Sequence, residues 1–163
     1  MLLRQRLGAA RRIAIVGIGD EHSGFDRIGM LVARQIDGMH IPGVRVFFAG
    51  IVPESMTGPI RTFQPDHVFL IDAAGMGAPP GTIAVIDPER ISGEHFSTHA
   101  LPLSAVMEFI EHDAGTTVTL LGIQPGNNRN EAGLSFEGEE LLHRNLTALT
   151  EILQELCGKR PSG

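Results

Sequence analysis

The sequence predicts a three-layer α/β/α sandwich around a mostly parallel, twisted sheet of about five strands. Several short apolar runs recur along the 163 residues, and most of them lack the polar alternation of a strand with one wet face. Segments with the helical spacing of apolar residues separate most of these runs. The composition, 42% hydrophobic and 20% charged, is ordinary for a globular protein. We therefore predict one α/β domain over residues 1–163.

The apolar runs and their spacing set the predicted order of elements. Strands are expected at 12–18, 44–51, 67–73, 82–88 and 117–123. Helices are expected at 25–38, in a short segment between Pro53 and Pro65, at 101–113 and at 136–157. The turn at 75–81 is too short for a parallel crossover, so the fourth strand should pair antiparallel at an edge. Residues 1–10 and 158–163 are expected to be flexible ends, and residues 89–98 a polar loop.

Charge and residue content exclude several classes of function. The net charge of −6 argues against nucleic acid as a partner, because phosphate binding needs clustered Lys and Arg. With no Tyr or Trp, a tyrosine general acid is impossible. The single cysteine, Cys157, forms no internal disulfide and builds no cysteine zinc site. No segment has the ~20 apolar residues of a membrane span. We expect a cytoplasmic protein that does not associate with membranes.

The stretch GIGDEHSGFDRIG, residues 17–29, has the pattern of a strand, a glycine turn and the start of a helix. In open α/β sheets, ligands bind outside the carboxyl ends of the strands. Three potential metal ligands follow predicted strands: Asp26 after the first, Asp72 ending the third, and His99 after the edge strand. Two carboxylates and an imidazole suit Zn²⁺, Ni²⁺ or a similar divalent ion with open positions.

Each of these residues also has a purely structural interpretation. Asp26 could complement a helix dipole, Asp72 could cap a turn, and His99 could be a surface histidine. The turn also partly matches a dinucleotide-binding fingerprint. That motif needs a third glycine where the chain has His22, and an acidic residue closing the second strand, where it reads FAG. A serine hydrolase is disfavoured because no serine lies in a GxSxG elbow.

The order of motifs resembles that of the hydrogenase maturation endopeptidases, closest to the branch that serves the formate hydrogenlyase hydrogenase. The family's turn, roughly G-N-x-x-x-G-D-[DE]-G-x-G, corresponds to GDEHSGFDRIG at 19–29. The strand and glycine turn FLIDAAGMGAPPGTIAVIDP, the histidine in STHALPL and the segment LLGIQP follow in the same order. The similarity spans roughly residues 12–156. Asp20, Phe25 and Arg27 differ from the family pattern, which has Asn, an acidic residue and Gly there.

The resemblance implies a phosphorylase/hydrolase-like sheet between helices in a protein that is usually monomeric. It also implies that Asp26, Asp72 and His99 bind the nickel already installed in a nickel-iron hydrogenase large-subunit precursor. Zinc or cadmium could replace that nickel in a crystal. The implied activity is removal of the precursor's C-terminal extension after nickel insertion.

Metal-assisted peptide hydrolysis needs a proton acceptor, and Asp20 or Glu21 is the candidate general base. Two other functions stay open from the sequence. One is a metal-sensing or chaperone-like binding module that does not cut, and the other is a nucleotide-binding enzyme.

Overall fold

The computed structural model describes residues 2–22, 24–87, 102–126 and 133–158. Its strands are β1 (Ile13–Ile18), β2 (Val44–Gly50), β3 (His67–Ala73), β4 (Ile83–Ile86) and β5 (Thr117–Ile123). Its helices are α1 (Leu2–Leu7), α2 (Ile28–Gly38), α3 (Thr57–Phe63), α4 (Leu103–Ala114) and α5 (Phe136–Cys157). Two 3₁₀ turns, Gly24–Arg27 and Pro53–Met56, lead into α2 and α3.

The five strands form one sheet in the order β2-β1-β3-β5-β4. β1 pairs in parallel with both β2 and β3, and β3 pairs in parallel with β5. β4 pairs antiparallel with β5 and lies at the edge. The predicted fold class and the antiparallel edge strand are therefore confirmed.

Both faces of the sheet are covered by helices. On one face the side chains of α1, α2 and α5 pack against alternate residues of β1, β3 and β5, such as Ile15, Phe69 and Leu121. On the other face α3 and α4 pack against the intervening residues, such as Val16 and Leu70. Every residue of β1 and β3 is buried, which explains why these strands are apolar throughout.

The chain before β1 differs from the expected flexible lead-in. Residues 2–7 form α1, and Leu7 and Ala10 are buried against the core. Arg4 forms an ion pair with Glu155 near the end of α5. A six-residue helix is not stable alone, so α1 owes its structure to this packing.

The other element boundaries agree with the sequence to within a few residues. The helix expected from residue 25 begins instead with a 3₁₀ turn, and α2 proper starts at Ile28. The predicted loop 89–98 and most of the loop after β5 lie outside the described residues, as do residues 159–163. Across the described ranges no helix combines the length and apolarity needed to cross a membrane.

Candidate active site

The topology creates a crevice between the carboxyl ends of β1 and β3. From β1 the chain passes through α2 to β2 on one side of β1, and then returns through α3 to β3 on the other side. Because α2 and α3 cover opposite faces of the sheet, these two connections diverge above β1 and β3. Ligand sites in doubly wound α/β folds lie at such switch points. Asp26 follows β1 at this point, and Asp72 lies near the end of β3.

Asp26 is held by a tight turn. Gly19 has a φ of 135°, and a Cβ at this position would overlap the carbonyl oxygen of Asp26. The turn can therefore close onto Asp26 only where the chain has glycine. The backbone N–H of Asp20 donates a hydrogen bond to Oδ2 of Asp26 over 3.3 Å. The side chain of Asp26 is consequently fixed by the segment that precedes it.

Asp72 is part of the central sheet rather than of a loop. It lies opposite Gly122 of β5 in the parallel register. Its Oδ1 accepts a hydrogen bond of 2.8 Å from the backbone N–H of Ala73. Both Asp26 and Asp72 are only 3% exposed. Buried carboxylates are stable only where hydrogen bonds, cations or metal ions compensate for the lost water.

Gly29 in the first turn of α2 brings the two acidic segments together. A Cβ at Gly29 would overlap the carbonyl oxygen of Ile18, would lie 2.7 Å from that of Ile71, and would lie 3.1 Å from Cα of Asp72. The helix thus sits directly on the ends of β1 and β3. The two predicted acidic ligands therefore belong to segments in direct contact at one edge of the sheet.

The other residues of the turn are placed differently. Oδ1 of Asp20 accepts a hydrogen bond of 2.9 Å from the N–H of His22, which closes the turn. His22 itself is exposed. The carboxylate of Glu21 pairs with Arg34 of α2, with 3.1 Å between Oε1 and Nε. Arg34 also stacks on Phe48. Sequence reasoning missed this partner, although Arg34 lies on the helix that follows the turn.

The third predicted ligand, His99, lies outside the described residues, so the three-ligand site stays a prediction. Among the side chains that the structure describes, no group of three His, Cys, Asp or Glu could hold a metal ion. The described part of the site therefore supplies two acidic residues. This donor set fits a divalent ion only if further ligands come from elsewhere.

Cys157 is remote from this site. It ends α5 beside Gly43, whose carbonyl oxygen accepts a hydrogen bond of 2.9 Å from the N–H of Ile13 at the start of β1. Partial burial raises the pKa of the Cys157 thiol, because burial disfavours the thiolate. Neither position nor ionisation suits a nucleophile.

His67 is a buried polar residue that the sequence pattern does not single out. It begins β3, and Asp72 lies near the other end of the same strand. Its Nδ1 lies 2.7 Å from Oγ1 of Thr117, and its Nε2 lies 2.9 Å from Oγ1 of Thr119. Burial lowers the pKa of His67 to about 4, and the positive charge of Arg6 adds to this effect. The signal in the sequence was a histidine opening a strand that is otherwise apolar up to Asp72.

The fold and the two buried carboxylates at its switch point define an α/β protein of the doubly wound type, and sequence comparison names the family. Residues 30–154 match the family model of HycI, the hydrogenase maturation protease. The chain belongs to this family of peptidases. The matched segment contains Asp72 but begins after the turn that carries Asp26.

Individual relatives agree with this assignment. The chain is 30% identical to a Methanocaldococcus jannaschii protein assigned to the hydrogenase maturation proteases, with 95% of this chain and 96% of the relative covered. It is 34% identical to the hydrogenase 3 maturation protease of Escherichia coli K12 over 66% of this chain and 69% of that protein. The crystal structure of the nickel-iron hydrogenase maturation protease HycI from Thermococcus kodakarensis superimposes with a TM-score of 0.74 at 34% identity. It covers 98% of this chain and 100% of that one.

Proposed function

We propose that this peptidase removes the C-terminal extension of a nickel-iron hydrogenase large-subunit precursor after nickel insertion. The observation that carries the proposal is the pair of buried carboxylates, Asp26 and Asp72, at the switch point of a hydrogenase maturation protease fold. A protease that acts after nickel insertion needs groups that distinguish a loaded precursor from an empty one. Carboxylates held rigidly at one edge meet this need, because they can complete the coordination of an ion that the substrate brings.

Asp26, Asp72 and His99 are the proposed ligands of the substrate's nickel. His99 precedes Pro102 by three residues, and α4 begins directly after Pro102. α4 ends just before the amino end of β5. A helix that packs antiparallel to the strand it leads into begins near the carboxyl ends of the strands. We therefore propose that the segment before α4 carries His99 towards the edge where Asp26 and Asp72 lie.

The metal-bound site would polarise the scissile carbonyl or a water molecule, which makes hydrolysis possible near neutral pH. A general base must still take a proton from the attacking water. Of the two candidates, the structure favours Asp20 over Glu21. The carboxylate of Glu21 forms an ion pair with Arg34. Asp20 is half-buried, and its backbone N–H donates a hydrogen bond to the carboxylate of Asp26.

The test uses purified protein and nickel-loaded precursor, with cleavage followed by mass spectrometry. Asp72→Asn keeps the side-chain shape and its oxygen acceptor but removes the charge. We therefore expect the cleavage rate to fall by at least about 10²-fold. Asp37→Asn, an exposed position on α2, is the matched control and should leave cleavage unchanged. If wild type leaves the precursor intact, or if both variants trim it equally well, the proposal is wrong.

The same experiment separates a protease from a binding module. An intact precursor held in a stable complex with the wild-type protein would favour a non-proteolytic metal sensor or chaperone. A nucleotide-binding enzyme would instead show a higher melting temperature with NAD(P). We expect no change in melting temperature with NAD(P), because two buried acidic residues lie at the switch point where a pyrophosphate would bind.

The role of Asp20 has its own test. Asp20→Asn retains an acceptor for the N–H of His22 but cannot take up a proton. If Asp20 is the base, kcat falls while the melting temperature stays constant, and Glu21→Gln has a smaller effect. If Asp20→Asn keeps full kcat, Asp20 only holds the turn, as the asparagine of the family pattern would.

We further propose that the protein acts as a cytoplasmic monomer. Its client at this stage is a precursor that has not yet closed around its metal centre. Size-exclusion chromatography with light scattering tests the monomer, and fractionation of the source cells tests the location.

A further inference from the structure

A groove of about 410 Å³ lies between α2 and α5, beside the turn that carries Asp26. Gly24 and Arg27, which line its mouth, belong to the same 3₁₀ turn as Asp26. Pro125 and Gly126, just after β5, line it from the carboxyl edge of the sheet. The groove therefore borders the turn that carries Asp26 and the carboxyl ends of the strands.

The lining of the groove has somewhat more apolar than polar surface. Leu31 and Val32 contribute to it from α2, Leu142 from α5, and Leu134 from the residues just before α5. Among the described residues, its polar side chains are Arg27, Gln35, Glu139 and His143. Leu31 is 44% exposed although it is a large apolar side chain. An exposed leucine in a concave site beside a candidate reactive centre is typical of a binding surface.

We propose that this groove binds apolar side chains of the precursor polypeptide immediately beside the bond that is cut. The inference rests on the proposed function. If the scissile bond of the precursor lies at Asp26 and Asp72, the residues on either side of that bond must lie on the protein surface next to these carboxylates. The volume is at the low end of the ~300–1,000 Å³ of small-ligand pockets. It suits a few side chains of an extended peptide and is too small for a folded domain.

A second hollow on the other side of the turn is less suitable. It runs from Asp20, Glu21 and Arg34 to Phe48 and Ile51 at the end of β2, and it is more open to solvent. Its walls carry the ion pair between Glu21 and Arg34. Apolar side chains gain more from the less open groove, since their binding scales with the apolar area removed from water.

α2 and its C-cap residue offer a matched pair of positions for the test. Leu31 and Met39 are both 44% exposed, and only Leu31 lines either hollow described here. Leu31→Glu places a charge in the groove, so we expect KM for the nickel-loaded precursor to rise about tenfold or more at unchanged melting temperature. Met39→Glu adds the same charge at the other end of the helix, and its KM should stay within about twofold of wild type.

A cross-linking experiment gives a readout that does not require cleavage. A photoreactive amino acid at position 31 should couple to the precursor within the segment beside the cut bond, and one at position 39 should not. Coupling of position 31 to a distant part of the large subunit, or to nothing, would overturn the inference. A KM for the nickel-loaded precursor that is the same in Leu31→Glu as in the wild type would also overturn it. By contrast, an intact precursor with the wild-type protein would refute the proposed protease function.

Discussion

Gly29 of α2 lies against Asp72 of β3 so closely that a Cβ on the glycine would be 3.1 Å from the Cα of the aspartate. The same Cβ would press on the backbone of β1. The absence of a side chain at residue 29 therefore sets the distance between the turn that holds Asp26 and the strand that holds Asp72. Both stability and cleavage should depend on it.

Gly29→Ala is expected to destabilise the protein by about 3 kcal/mol. The new methyl group would overlap backbone atoms of β1 and β3, which cannot move away as a flexible side chain could. The melting temperature should fall by roughly 6–12 °C, and cleavage should fall further than the loss of folded protein explains. Thermal melts and cleavage rates measure the two effects. Gly38→Ala, at the end of the same helix with open space around it, should gain up to about 1 kcal/mol. Equal losses for both variants would show that Gly29 has no special role.

His67 makes stability depend on pH. Its pKa is lowered to about 4 in the folded protein and is about 6.5 when unfolded, so the unfolded chain binds the extra proton between these values. The stabilisation is complete above pH 6.5 and is lost as the pH falls towards 4. The expected loss is about 3 kcal/mol from this residue. Urea unfolding at pH 7.5 and pH 4.5 measures it.

His67→Gln is the variant for comparison, because glutamine can still bond to the threonine hydroxyls of β5 and does not titrate. Its free energy of unfolding should change less between the two pH values than that of the wild type. An equally large change in the variant would assign the acid sensitivity to other groups.

Neighbouring residues of α3 should differ sharply in their contribution to stability. Ile60 is fully buried between α3 and the sheet, so Ile60→Ala should cost about 2–5 kcal/mol. Arg61 points outwards and pairs with Asp113 of α4 at 2.9 Å. Arg61→Ala should cost less than about 1 kcal/mol, and the cost should shrink in salt because the pair is solvated. A larger loss for Arg61→Ala would mean that this ion pair fastens the two helices.

The end of α5 that borders the groove depends on a side-chain cap. Oγ of Ser135 accepts a hydrogen bond of 3.2 Å from the N–H of Gly138. Ser135→Ala should cost about 1 kcal/mol and increase amide exchange in the first turn of α5. Thr147→Ala, in the exposed middle of the helix, should be neutral or stabilising. Unchanged exchange in Ser135→Ala would show that the cap contributes nothing.

The strands and the long helix could be predicted from sequence because their signals are local. β1 and β3 are buried on both faces, and continuous apolar runs record that burial. α1 could not be predicted, since six residues have little helical tendency and their support comes from α5, about 150 residues away. The sequence does not distinguish the 3₁₀ turn before α2 from the helix itself, because both have similar apolar spacing.

The site was only partly accessible from sequence. The rule that ligands bind at the carboxyl ends of strands selected Asp26 and Asp72, and the sheet order brings their segments together. The contact of Gly29 with Asp72 could not be foreseen, because it depends on how closely the helix approaches the sheet. The ion pair of Glu21 also depends on the fold: the neighbouring Arg27 is the nearest candidate in the sequence, but the structure pairs Glu21 with Arg34 of α2.

The complete burial of β1 and β3 has a consequence for how the molecule fluctuates. Strands enclosed on both faces and on both sides open only when the whole structure unfolds, so their amides should be the slowest to exchange with deuterium. Asp72 is part of this slow core, and Asp26 is held by the turn at Gly19 that directly follows β1. The acidic side chains thus have little freedom to seek a ligand. Adaptation during recognition must come from the incoming polypeptide.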